Sequence, residues 1–345
     1  MVSLELTKIF TLTSISFILA LLGTPLLTFF LYKYKLGKQI RDSVDTPLFT
    51  KMHAAKKGTP TMGGILVWGS TIVIIGLFWF LDRVAGLESF HSLNVLTRKE
   101  TLLPLGAFLG AAGVGLIDDL LDINRMGHKG RGLAFRFKVV LYAVVAGIGA
   151  WWFYVKLGFD AIHIPFAGPL HLGWVFIPFF ILVVIGTSFA VNQTDGLDGL
   201  AGGTLLIAFF TYGLIAFTQG RENLAAFIGI ICGSLLAFLW FNVFPARFFM
   251  GDTGSMGLGV LLAIVAFLTN SVAILPAVGF VFFIEAITTV IQIVSKKLTG
   301  KKIFLSAPIH HHFEALGWPE TKVTMRAWIL AAVCALIGSI IYFLG

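Results

Sequence analysis

Near-continuous apolar blocks recur along the chain at residues 9–32, 62–81, 102–117, 139–155, 174–191, 200–217, 224–241, 255–269, 272–294 and 327–344. Blocks near twenty residues long, without alternation in polarity, predict membrane-crossing helices rather than the ten-residue alternating strands of a β-barrel. The third and eighth blocks are short for a span, which is tolerable where charged ends snorkel or a helix runs on into a wet cavity. The predicted fold class is all-α: a polytopic membrane protein with about ten transmembrane helices. No low-complexity linker divides the chain and no long internal repeat is found, so residues 1–345 read as a single transmembrane domain.

Two places depart from this pattern. Between 158 and 173, Ile162, Ile164 and Phe166 are spaced by two ahead of Gly168-Pro169, which predicts a short external β-hairpin. Glu285 is the one acid deep inside a block. An intramembrane carboxylate is a functional group or a helix-pairing group, and an interhelical hydrogen bond is the expectation here.

Composition supports the membrane reading, since 57% of the 345 residues are hydrophobic and 12% charged. A mean hydropathy of +0.93 exceeds what a soluble core of this size would hide. The first block has no convincing small-residue cleavage site and is expected to be retained. Cys232 and Cys334 both fall in apolar blocks, the setting of small core residues rather than of a disulfide or metal site.

The net charge of +8 follows from topology rather than from a nucleic-acid partner. Loops after odd-numbered blocks carry Lys33, Lys35, Lys38, Arg41, Lys51, Lys56, Lys57, Arg125, Lys129, Arg131, Arg136, Lys138, Arg247, Lys296, Lys297, Lys301, Lys302, Lys322 and Arg326. The opposite side has Lys8, Arg83, Arg98, Lys99, Lys156 and Arg221. By the positive-inside rule the first group is cytoplasmic and both termini are outside.

Three aspartate clusters then share the cytoplasmic face, where they form the candidate active-site loops. Asp118, Asp119 and Asp122 end the third block. If that helix continues, Asp118 and Asp122 share a face at i, i+4 while Asp119 points about 100° away. Asp195 and Asp198 lie in the glycine-rich run from Asn192 to Gly203, which lacks the pattern of a P-loop or a dinucleotide fingerprint. Asp252 precedes the eighth block, in Asn242-Val243-Phe244-Pro245-Ala246-Arg247-Phe248-Phe249-Met250-Gly251-Asp252. Asp198 and Asp252 each have a second reading, as caps of the helices that follow them. Phe248 or Phe249 beside a carboxylate offers a ring on which a nucleobase can stack. Carboxylates gathered from distant stretches repel one another unless a cation joins them, which suggests a divalent metal and a phosphate-bearing substrate.

His310-His311-His312-Phe313-Glu314 lies in the last cytoplasmic loop. The spacing is not that of His-Glu-x-x-His zinc enzymes, and hydrogen bonding to phosphate is the better reading. A secondary transporter is the rival class. Transporters place polar sites near the midplane, whereas here the acids gather at one interface.

Together, Asp118-Asp119, the run from Asn192 to Gly203, Phe249-Met250-Gly251-Asp252 and Ala307-Pro308-Ile309-His310-His311-His312-Phe313-Glu314 resemble the polyprenyl-phosphate N-acetylhexosamine-1-phosphate transferases. With Lys57-Gly58-Thr59-Pro60-Thr61-Met62-Gly63-Gly64, the triple-histidine loop resembles the phospho-N-acetylmuramoyl-pentapeptide transferase branch. The resemblance covers about residues 50 to 330. It implies transfer of phospho-N-acetylmuramoyl-pentapeptide from UDP to undecaprenyl phosphate with Mg²⁺, giving lipid I and UMP, in the bacterial cytoplasmic membrane. A homodimer is also implied. Carried over by motif, Asp252 is a magnesium ligand, Asp118 and Asp119 the catalytic pair, and His310, His311 and His312 phosphate-side catalytic contacts. Asn192, Asp195, Asp198, Asn242 and Phe249 would bind the nucleotide, with Phe249 stacking on uracil, and Lys138 would bind phosphate. Asp122 stands where the muramoyl branch usually has lysine, and Gln193 where leucine is usual. These departures make the N-acetylglucosamine branch the alternative.

Overall fold

The computed structural model describes residues 2–37, 56, 58–98, 100–128 and 132–345. Lys38, Arg41, Lys51, Lys57, Lys99, Lys129 and Arg131 of the charge count lie outside them. In chain order the long helices are α1 (Val2–Lys33), α2 (Ile65–Arg83), α3 (Leu102–Ile123), α4 (Phe135–Trp151), α5 (Phe176–Thr194), α6 (Leu200–Thr218), α7 (Glu222–Asn242) and α8 (Asp252–Leu268). A short α9 (Leu275–Val278) leads into α10 (Phe280–Thr299), and α11 (Ile309–Ala315) precedes the closing helix α12 (Glu320–Leu344).

Each apolar block coincides with one of these helices except 272–294, which is divided between α9 and α10. Eight helices among the described residues are long and apolar enough to span a bilayer, and a bent pair raises the count to nine. The bent pair is Val272–Val278 with Phe280–Thr299, at 82° to each other around Gly279, where the sequence predicted one straight span. Helix α8, at 17 residues, is shorter than a span. It is also the most enclosed, with every residue from Thr253 to Leu268 buried against neighbouring helices.

Small residues let the helices approach α8 closely, as they do where lipid tails supply no hydrophobic drive for association. A Cβ on Gly64 would lie 2.2 Å from the Cα of Gly254, and one on Gly115 of α3 would lie 2.3 Å from the carbonyl oxygen of Asp252. These two glycines bring the Thr61-Met62-Gly63-Gly64 turn and helix α3 onto the first turn of α8. The amides of Gly63 and Gly64 complete the junction by donating to the carbonyls of Phe249 and Met250, at 2.8 and 2.9 Å.

The predicted hairpin is present as β1 (Ala161–Ile164) and β2 (Gly168–His171), antiparallel, with Ile162 opposite Leu170. Phe166 falls in the turn, with φ of 65°, rather than in the strand that its spacing suggested. His163 Nε2 lies 3.2 Å from the carbonyl oxygen of Gly345, so the hairpin meets the far end of α12. Cys232 is buried and Cys334 half-buried, both as free thiols.

Candidate active site

Helix α3 does continue through the aspartates to Ile123, so Asp118 and Asp119 sit inside it and both are buried. Their directions separate their duties. Asp118 Oδ1 accepts the backbone N–H of Leu133 at 2.7 Å, and its Oδ2 lies 2.6 Å from Lys138 Nζ. Asp119 turns to α8, where its Oδ1 and Oδ2 accept the backbone N–H groups of Asp252 and Thr253 at 3.2 and 3.0 Å. Those amides have no partner within their own helix, and the N-terminus of a helix attracts a negative charge. Capping of α8 therefore falls to Asp119, from another helix, and not to Asp252, the residue the sequence offered for it. Asp122 lies half-exposed near the end of α3.

Asp252 occupies the first turn of α8 with its carboxylate aimed across the site. Its Oδ2 is 2.8 Å from Lys138 Nζ, and its Oδ1 accepts from Asn192 Nδ2 at 2.8 Å. Asn192 also donates to Ser255 Oγ at 2.9 Å. The Lys138 ammonium thus sits between two carboxylates from different helices, each within about 3 Å, and offsets their repulsion. Asp195 accepts the N–H of Gly251 at 3.0 Å. Gly251 has φ of 74°, and a Cβ there would meet Asp119 Oδ2 at 2.6 Å, so this turn admits only glycine.

A second group lies beside the first. Asp198 is buried, with Oδ1 2.7 Å from Lys56 Nζ and Oδ2 accepting the N–H of Ala246 at 2.9 Å. Its carboxylate is therefore not the cap of α6, whose N-cap is Gly199. Asn242, at the end of α7, accepts the N–H of Gly199 at 3.0 Å and donates to the carbonyl of Phe248 at 2.8 Å. Of the two phenylalanines, Phe248 is fully buried in the core, while Phe249 is half-buried with Lys56 Nζ 5.6 Å from its ring centroid. Of the two rings only that of Phe249 is partly accessible, which stacking on a base would require.

The three histidines part company. His310 Nδ1 pairs with Glu285 Oε2 at 2.9 Å, His311 Nδ1 with Glu314 Oε2 at 2.7 Å, and His312 Nδ1 accepts the N–H of Leu305 at 3.2 Å. Helix α11 therefore packs against α10, and Glu285 makes the expected interhelical hydrogen bond, to His310 of the short α11. The Nε2 of His310 is buried with no hydrogen-bond partner among the described residues and faces Gly196, where a Cβ would approach it to 2.3 Å. Behind it a cavity of about 460 Å³ opens between α10, α11 and α12, lined by Ile284, Glu285, Phe313, Arg326 and Ile329 among others. Ile329 is exposed on the membrane-facing flank.

Among the described residues no group of three or more histidine, cysteine or acidic side chains converges as a metal cage. Magnesium does not need one. It binds through one or two carboxylates and fills its remaining positions with water and substrate phosphates. Asp118 and Asp252 carry carboxylate oxygens of that kind, so their donor chemistry suits such an ion, and each oxygen is engaged here by Lys138, Leu133 or Asn192.

Three contributors escaped the sequence reading: Lys56, counted there only as loop charge, Glu320 and Trp328. Lys56 Nζ bridges Asp198 and Glu320, and Trp328 Nε1 donates to the carbonyl of Gly199 at 3.1 Å. The one local signal was Trp318-Pro319-Glu320, which marks the start of a helix.

Comparison with known proteins places this geometry in context. The family model described as "Glycosyl transferase family 4" matches residues 101–270. The model described as "Phospho-N-acetylmuramoyl-pentapeptide-transferase signature 1" matches residues 56–66, which include Gly63 and Gly64 packed at the start of α8. A protein of Chloroflexus aggregans named phospho-N-acetylmuramoyl-pentapeptide-transferase is 37% identical over 347 residues, covering 97% of this chain and 89% of the relative. One of the same name from Clostridium perfringens is 39% identical over 332 residues, 96% of this chain and 98% of the relative. Another from Geobacillus kaustophilus is 36% identical, with 94% and 95% covered.

Proposed function

Because the chain belongs to the phospho-N-acetylmuramoyl-pentapeptide transferase family, we propose that it moves phospho-N-acetylmuramoyl-pentapeptide from UDP to undecaprenyl phosphate at the site around Lys138. The reaction is the first membrane step of peptidoglycan synthesis. The relatives compared above bear the muramoyl name, which supports reading Asp122 and Gln193 as variations within this branch. The observation that carries the site assignment is the Asp118–Lys138–Asp252 bridge, which joins carboxylates of α3 and α8 through one ammonium.

In the proposed reaction an oxygen of the lipid phosphate attacks the sugar-linked phosphorus of the diphosphate. The bond to the UMP oxygen breaks, that oxygen keeps the electron pair, and lipid I and UMP result. Catalysis of such a transfer is mostly positioning and charge neutralisation. Lys138 contributes a fixed cation to the phosphates. Phe249 and Lys56 hold the uracil end, and the cavity behind His310 takes the first units of the lipid. A phosphate monoester has its second pKa near 6, so the nucleophile is already ionised at neutral pH and Asp118 orients rather than deprotonates. Asp119 gives both oxygens to the α8 amides, which argues against it as a covalent nucleophile. Magnesium, held by Asp252 and Asp118, would supply further neutralisation of the diphosphate. His310, whose Nδ1 is fixed by Glu285, offers Nε2 to a phosphate oxygen.

The charge asymmetry of the loops supports placing this end of the bundle at the cytoplasmic face of a bacterial membrane. A homodimer belongs to the same proposal, and native mass spectrometry of the solubilised protein tests it. The central experiment measures UMP release by the purified protein with undecaprenyl phosphate and Mg²⁺. Release with UDP-N-acetylmuramoyl-pentapeptide and none with UDP-N-acetylglucosamine is expected. The reverse preference would overturn the substrate, and release from neither would overturn the enzyme.

A further inference from the structure

The dipeptide Asp198-Gly199 makes an unusual set of bonds. The N–H of Asp198 donates to Glu320 Oε1 at 2.6 Å, and its carbonyl accepts from Thr324 Oγ1 at 3.1 Å. The N–H of Gly199 donates to Asn242 Oδ1 at 3.0 Å, and its carbonyl accepts from Trp328 Nε1 at 3.1 Å. Each of the four main-chain polar atoms is thus bound by a side chain. Three of those side chains, Glu320, Thr324 and Trp328, lie at i, i+4 and i+8 on α12, one above the other on a single helix face. Glu320 also shares the Lys56 ammonium with Asp198.

Packing supports the same alignment. Gly203 leaves room for the indole, since a Cβ there would lie 2.1 Å from Trp328 Nε1. Thr324 is buried, so its hydroxyl would be an orphan without the Asp198 carbonyl. The opposite flank of α12 is open, with Met325, Ile329 and Leu336 exposed. A helix that serves only as a membrane anchor does not need three polar side chains in register against one dipeptide.

We propose that this face of α12 is a positioning device for the nucleotide pocket. Glu320, Thr324 and Trp328 lock the Asp198-Gly199 turn, and through it the Lys56 ammonium over the ring of Phe249. They are positioning residues and touch no reacting atom. The inference rests on the assignment of Phe249, Asp198 and Asn242 to the UDP end of the substrate. It predicts that loosening the face weakens binding of the UDP substrate and leaves the chemical step alone, because Asp118, Lys138 and Asp252 stand on other helices.

The test compares Thr324→Val, which keeps the shape and removes the donor, with Thr324→Ser, which keeps the donor. Trp328→Phe is the second probe. For each, KM for UDP-N-acetylmuramoyl-pentapeptide, KM for undecaprenyl phosphate and kcat are measured in the UMP-release assay. Thr324→Val and Trp328→Phe are expected to raise KM for the UDP substrate by about 3- to 10-fold, the loss of one hydrogen bond. Changes in kcat and in the lipid KM should stay within about 2-fold, and Thr324→Ser should restore the parent value. An unchanged KM for the UDP substrate, or a fall in kcat alone, would overturn the proposal. Wild-type protein that releases no UMP would instead overturn the functional reading on which it stands.

Discussion

The carboxylate of Asp119 accepts the backbone N–H of Thr253 at 3.0 Å across a sequence separation of 134 residues. One helix thus caps another, and the cap fixes the direction in which Asp252 leaves the first turn of α8.

Replacing Asp119 should therefore act through α8. Asp119→Asn keeps one acceptor and loses the charge, and Asp119→Ala leaves two buried amides without partners. The alanine variant should be the less stable by about 1–2 kcal/mol, the usual worth of a lost cap, and both should lose turnover. Thermal unfolding in detergent beside UMP release checks the order. A stable, fully active Asp119→Ala would contradict the capping role.

Asp252→Asn and Asp118→Asn address the two carboxylates that flank Lys138. Each removes a charge paired with Lys138 and leaves the fold's hydrogen bonds largely in place. Rates should fall by about 10²–10³-fold, the scale seen when a preorganised electrostatic contact is deleted. If Asp252 is a magnesium ligand, raising Mg²⁺ should recover part of the loss in one or both variants. Near-normal turnover of Asp252→Asn at low magnesium would remove Asp252 from the metal.

Lys138 separates two carboxylates, so its loss leaves both of them unpaired. Lys138→Met should lower both the unfolding temperature and the rate, because breaking a buried pair leaves uncompensated charge worth about 3–5 kcal/mol. In the double variant Lys138→Met with Asp118→Asn the stability should partly return while the rate does not. Additive stability losses would show that the bridge does not hold the site together.

Two glycines of α3 give a matched pair. Gly115→Ala drives a methyl to within 2.3 Å of the Asp252 carbonyl, whereas the same change at Gly113 meets nothing within 4 Å. The first should cost about 1–3 kcal/mol by overpacking and reduce turnover by displacing Asp252. Gly113→Ala should gain up to about 1 kcal/mol from helix propensity. Equal effects at the two positions would mean that α3 and α8 do not meet as described.

The spans were legible because their signal is local: twenty apolar residues announce a helix wherever they occur. The aspartates stood out because membrane segments carry few acids. Their separate duties were not legible, since they depend on pairings such as Asp118 with Lys138 and Asp119 with Thr253 that no spacing encodes. Lys56 escaped for the same reason, its partners being 142 and 264 residues away. Glu285 looked distant from the loops only on the assumption of a straight span. The bend at Gly279 and the return of the chain through α11 bring His310 to it.

The groove that ends at His310 opens on the flank of the bundle, while Phe249 and Lys56 face the end where the loops gather. If the proposed reaction uses these two routes, its reactants belong to different phases. One diffuses in a plane, and its supply is set by its mole fraction among the lipids. The other arrives from bulk water, and its supply is set by molarity. Diluting the lipid partner with inert phospholipid should therefore slow the enzyme at constant amounts of everything in the tube, whereas enlarging the aqueous volume should slow it only through the nucleotide.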